Sequence, residues 1–155
     1  MSQIDKTVFE LFAGLGVFRL GLERINFGWK TTWFSQWEPG ESMKSQYAHK
    51  CYVSHFGDSK DLNGEYHTNE DITQVDKNSI PNHTLLVAGF PCQDYSVAQS
   101  LSSSKGIEGK KGVLWWQIRD VLIAKKPQFC ILENVDRLLK SPAKQRGREF
   151  ILVIL

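Results

Sequence analysis

Short apolar runs alternate along this chain with amphipathic stretches, in the order strand, helix, strand. Residues 7–13 form an apolar segment interrupted by Glu10, which reads as a first strand. A glycine-rich turn, Gly14-Leu15-Gly16, leads into residues 17–25, whose apolar positions (Val17 and Leu20; Phe18, Leu22 and Ile25) approximate helical spacing. Residues 30–35 carry Thr31, Thr32, Trp33 and Phe34 and predict a second strand. A helix is expected from Pro39 or Gly40 to Ser54, a loop over 57–65, and the tail of a short third strand over 69–73. The run Thr84-Leu85-Leu86-Val87-Ala88 reads as a buried fourth strand. Residues 113–126 are helical by periodicity, with Leu114, Ile118, Val121 and Leu122 on one face, and residues 128–132 predict a fifth strand. The alternation points to one α/β domain with a parallel sheet and helices on both of its faces.

Two strand ends carry chemistry. The fourth strand stops at Gly89 and is followed by Phe90-Pro91-Cys92-Gln93-Asp94-Tyr95-Ser96. Pro91 has a fixed φ and no N–H, so it ends the strand and presents Cys92 on a stiff turn. Ligands of open α/β sheets bind beyond the carboxyl ends of strands, where a thiol can serve as a nucleophile; the bland alternative is a small buried cysteine. The fifth strand closes on Glu133-Asn134-Val135. A glutamate at the tip of a buried strand is expected to be desolvated, with its pKa raised. One crossover helix separates the two strands, so Cys92 and Glu133 are expected to share a crevice.

Other residues admit two readings each. The turn at Gly14 and Gly16 brings backbone close to a ligand at a helix N-terminus, or is only a tight turn; the next glycine is Gly21, so the spacing is not GxGxxG. Glu38, just beyond the second strand, is placed either to accept ribose hydroxyls or to cap the following helix. Asp71 accepts from an adenine amino group, or is the N-cap of a helix over 73–80. Residues 94–112 form a long polar loop with Lys105, Lys110 and Lys111 available to phosphates. Lys140, Lys144, Arg146 and Arg148 add a basic stretch, and an apolar helix is expected to begin at 149.

Composition narrows the picture only modestly. The 155 residues are 41% hydrophobic and 12% aromatic, enough for a packed core. A formal net charge of +2 neither requires nor opposes a nucleic-acid partner. Three separated cysteines without a CxxC pair argue against a disulfide framework, a structural zinc site or a thiol redox pair, and for a reducing compartment. No apolar run reaches the ~18 residues of a membrane span, and the polar start lacks a signal peptide.

Phe12-Ala13-Gly14-Leu15-Gly16, Pro91-Cys92-Gln93 and Glu133-Asn134-Val135, in this order and after these strands, resemble the cytosine-5 DNA methyltransferase family in its bacterial restriction–modification form, over residues 7–155. The resemblance implies a Rossmann-like S-adenosylmethionine-dependent fold, truncated after about five strands. It implies S-adenosylmethionine as cofactor, double-stranded DNA as partner, no metal and a bacterial cytoplasmic, nucleoid-associated setting. Cys92 would be the nucleophile and Glu133 its acidic partner. Phe12, Gly14, Gly16, Trp37, Glu38, Asp71, Ile72, Pro91 and Leu114 would border the cofactor. Many members of the family carry an acid where Gln36 stands, so the ribose contact falls at either Gln36 or Glu38. The family's arginine-bearing motif, target-recognition region and C-terminal helix are absent, so residues 1–155 are expected to be a partial catalytic domain, inactive alone. A complementing C-terminal subunit, tRNA as the substrate, and a silent remnant are the alternatives.

Overall fold

The structure is a computed structural model that describes residues 4–89 and 113–134. Four parallel strands form its sheet: β1 (Thr7–Leu11), β2 (Lys30–Ser35), β3 (Leu85–Gly89) and β4 (Phe129–Glu133), in the order β2-β1-β3-β4. Three helices accompany them: α1 (Val17–Arg24), α2 (Tyr47–Phe56) and α3 (Val113–Lys125). The α/β class and the parallel sheet with helices on both faces are as the sequence predicts.

The strands follow the two-residue alternation of a sheet buried on both sides. Val8, Leu85 and Val87 point to one face, where Phe18, Leu22 and Trp29 cover them. Phe9, Leu11, Trp33, Leu86 and Ala88 point to the other and meet Trp115, Ile118 and Val121 of α3. The α2 helix covers the first face over β2, its Tyr52 stacked on Phe34 with ring centroids 3.9 Å apart. Glu10 keeps the alternation but interrupts the apolar run. It stands on the α1–α2 face and is buried to 1% exposure among apolar neighbours.

Three expectations are corrected. Residues 69–73 are not a strand, and 73–80 are not a helix; both lie in turns. Aspartate side chains account for this by capturing backbone N–H groups that a ladder or a helix would need. Asp71 Oδ1 accepts from Thr73 N at 2.9 Å, and Asp76 Oδ1 accepts from Asn78 N at 2.9 Å. The described residues therefore hold four strands rather than five. The second helix also begins later than Gly40. The Gln46 side chain bonds back to the main chain of Glu38, accepting from its N at 2.8 Å and donating to its O at 2.9 Å, and α2 starts after it. Finally, β4 is not buried. It is one of the two outer strands among the described residues, with Phe129 49% and Ile131 46% exposed.

Chain direction reverses its travel across the sheet between β1 and β3: β1 leads outward to β2, and β3 leads the other way to β4. That is the topological switch point, where the carboxyl ends of the strands leave a crevice.

Candidate functional site

The crevice is walled by the segments that leave each strand. After β1 the chain turns sharply. Phe12 takes φ 57°, a left-handed conformation that an aromatic residue rarely adopts. Gly14 comes next but one at φ 58°, and a Cβ there would meet nothing within 4 Å, so its backbone faces open space. Ala13 N–H donates to Ser35 O at 3.0 Å, and Gly14 N–H donates to Gln36 Oε1 at 2.7 Å, tying the turn to the end of β2. Gln36 is thus a turn-holding residue, a role the sequence did not disclose. Its position directly after a strand parallel to β1 was the available signal.

Gly16 differs from Gly14. It is buried, and a Cβ on it would stand 2.5 Å from Phe56 Cε2 and 2.9 Å from Tyr52 Cε2. Packing against α2 is therefore sufficient reason for this glycine. It is the N-cap of α1, has no side chain to cap with, and α1 has no acid in its first turn. The positive end of the helix is left without a local side-chain acceptor.

After β2, Trp37 and Glu38 are half-buried. Glu38 Oε2 lies 3.4 Å from Ala48 N in the first turn of α2, which is the helix-capping geometry. Asp71 is half-buried and engaged in its own turn. Ile72 is 2% exposed and packs in the main core, and its carbonyl accepts from Lys77 Nζ. What Ile72 can offer a ligand is therefore main chain. Leu114 packs, partly buried, on the same core at the start of α3.

After β3 and β4 the register matters most. Gly89 and Glu133 are paired at the tips of these strands. Glu133 Oε2 lies 3.3 Å from where a Cβ on Gly89 would stand, with Phe18 Cε2 next at 3.9 Å. The carboxyl group thus leans over the end of β3. Glu133 is exposed, where the sequence suggested a strand tip shut away from water. Pro91, Cys92 and the 94–112 loop lie outside the described residues, as do the basic stretch and residues 149–155.

The other two cysteines are free and exposed. The sulfur of Cys130 is shielded enough that desolvation pushes its thiol up to about 11, away from the thiolate form. Among the described residues no cluster of three or more His, Cys, Asp or Glu could hold a metal ion, and no helix is long and apolar enough to cross a membrane.

Comparison with known proteins agrees with this geometry. The chain is 51% identical over 150 residues to the Type II methyltransferase M.Sau3AI of Staphylococcus aureus, covering 95% of this chain and 34% of that protein. It is 34% identical over 151 residues to the Type II methyltransferase M.NgoBI of Neisseria gonorrhoeae, covering 96% of this chain and 39% of the relative. The chain therefore spans little more than a third of these relatives. The fold matches the crystal structure of the S. pombe Dnmt2 methyltransferase with a TM-score of 0.65 at 18% identity, over 97% of this chain and 41% of that one. The family described as C-5 cytosine-specific DNA methylase matches residues 6–153. The chain belongs to the C-5 cytosine-specific DNA methylase family.

Proposed function

We propose that this chain is the cofactor-binding and nucleophile-bearing part of a bacterial DNA cytosine-5 methyltransferase. The carrying observation is the Glu133 carboxyl leaning over Gly89, three positions before Cys92.

The residues after β1 suit S-adenosylmethionine. Phe12 is held in a strained conformation close to Gly14, whose backbone opens on free space, and the turn leads straight into the N-terminal end of α1. Phe12, Trp37 and Leu114 would flank the adenosine, while Asp71 and the main chain of Ile72 would border the adenine. Either Gln36 or Glu38 would meet the ribose. Because Gln36 Oε1 already accepts from Gly14 and Glu38 caps α2, each would serve the cofactor in addition to a structural bond. Gly14, Gly16 and Pro91 would shape the floor. The bound cofactor supplies an electrophilic methyl group.

The protein's own part is to make carbon 5 of cytosine nucleophilic. The Cys92 thiolate adds to carbon 6, and the electron pair of the 5,6 bond is pushed toward carbon 5. Glu133, hydrogen-bonded to ring nitrogen 3, donates a proton as charge develops there. Once carbon 5 is substituted, a base removes its proton and Cys92 departs as the thiolate. The cytosine has to leave the duplex first, since its ring atoms are unreachable within the stack. Residues 94–112 are suited by composition to close over it.

The chain spans about a third of its relatives, so recognition of a DNA sequence would rest with a region outside these 155 residues, joined to it or supplied as a complementing subunit. The isolated chain is then expected to transfer no methyl group. The deciding test mixes the chain with a polypeptide supplying that region, with S-adenosylmethionine and with DNA carrying 5-fluorocytosine, whose carbon-5 fluorine cannot leave as a proton once the methyl group has been transferred. A covalent adduct mapped to Cys92 is expected, and none with Cys92→Ser; adduct formation by the serine protein overturns the assignment. A parallel trap with tRNA separates the two substrates.

A further inference from the structure

The buried acid on β1 has no part in the chemistry above, yet it touches both helices that enclose the glycine turn. Glu10 is 1% exposed. Its Oε2 accepts from Tyr52 Oη of α2 at 2.9 Å. Its Oε1 lies 3.4 Å from the backbone N of Arg19, the third residue of α1. That N–H is one of the donors a side-chain N-cap would satisfy, and the N-cap here is Gly16, which has none. The acid from the strand below does the capping instead. Tyr52 is fixed in turn by its stack on Phe34, and its ring edge is one of the two surfaces that exclude a side chain at Gly16. The Arg19 guanidinium closes the cluster, 4.5 Å over the Phe56 ring, 3.5 Å from Tyr52 Oη and 3.0 Å from Glu23 Oε1.

We propose that Glu10 is a positioning residue for the cofactor: by bonding Tyr52 and the first turn of α1 at once, it sets the height and tilt of the Phe12–Gly16 turn over the sheet. The proposal rests on the reading of that turn as the S-adenosylmethionine site. A carboxylate buried among apolar groups is costly unless its bonds are met. An apolar side chain at residue 10 would fill the same layer at less cost, which makes a purely packing role a poor account of the acid.

The test compares the wild-type chain with Glu10→Gln, Glu10→Leu, Tyr52→Phe and Glu65→Gln, a control at an exposed residue outside the cluster. Amide hydrogen exchange is read at residues 14–20, S-adenosylhomocysteine affinity by calorimetry, and thermal midpoints alongside. Tyr52→Phe keeps the ring stack and loses the hydroxyl's bonds to Glu10 and Arg19; it is expected to speed exchange at Phe18 to Leu20 about tenfold and to weaken the ligand about five- to tenfold. Glu10→Leu should do at least as much even where its thermal midpoint holds. Glu10→Gln retains an acceptor and should recover to within about threefold of wild type, and Glu65→Gln to within twofold. Wild-type exchange and affinity in both Tyr52→Phe and Glu10→Leu would overturn the proposal, as would affinity losses that merely track the thermal midpoint. If the wild-type chain binds no S-adenosylhomocysteine, the cofactor reading fails, while the exchange arm still decides whether Glu10 holds the turn.

Discussion

A methyl group added at residue 16 has nowhere to go. The Cβ would press on Tyr52 and Phe56 with the backbone at φ 82°, so Gly16→Ala combines overpacking with left-handed strain, about 2–4 kcal/mol. Gly14→Ala meets open space and bears only the strain, about 1 kcal/mol, so urea melts should separate the two variants clearly. The opposite ranking should hold for S-adenosylhomocysteine binding measured per folded molecule, because a Cβ at residue 14 enters the open space beside the turn whereas one at residue 16 points into α2. Glu10 adds a pH dependence. Burial raises its carboxyl above the ordinary 4.5, against the bonds from Tyr52 and Arg19 that lower it. The folded state then holds a proton the unfolded chain has released. Stability from this group is full below about pH 4.5 and falls as pH rises through the higher folded value. Thermal melts of Glu10→Gln across that window should lack this slope.

At the scale of elements, strands were the legible part. β2 spans residues 30–35 as its β-branched and aromatic residues suggested, and β1, β3 and β4 differ from expectation only at their ends. The reason is that β-branched, aromatic and aliphatic residues gathered over five or six positions favour a strand whether or not both faces are buried. The stretch between α2 and β3 was not legible, since its shape comes from side chains bonding their own backbone, and the same Asp serves a turn or an N-cap. Asp61 illustrates this: its Oδ1 accepts from Asn63 N at 2.8 Å and Glu65 N at 3.0 Å. The Glu65 N–H, first among several contacts, holds the Asp61 carboxyl below its ordinary 3.8. Its contribution is present above that value and lost as pH falls through the lower folded one, the reverse of Glu10. Asp61→Ala should unlock the loop, read as faster proteolysis between residues 57 and 70, while Asp61→Asn keeps an acceptor and largely protects it.

For the molecule as a whole, the site was legible as an order of motifs but not as a set of bonds. The tips of β3 and β4 pair and the Glu133 carboxyl lies over Gly89, while Cys92, its expected companion, falls outside the described residues. Its exposure was misjudged because an apolar strand does not announce whether a neighbour flanks it on each side. Gln36, Gln46 and Glu10 were missed as organisers because their partners lie 22, 8 and 42 positions away along the chain, beyond any local pattern.

All four strands run the same way and end at one edge, so the crevice is assembled from stretches scattered between residues 12 and 133. A partly folded chain lacking any one of these stretches would lack part of the crevice's wall. A ligand seated there acts as a referee of folding, rewarding only the finished chain. S-adenosylhomocysteine at a hundred times its Kd should raise stability by about 2.7 kcal/mol. Its release in urea should trace the same curve as the loss of helix signal, and a release that runs ahead of unfolding would mean the pocket has a looser life of its own.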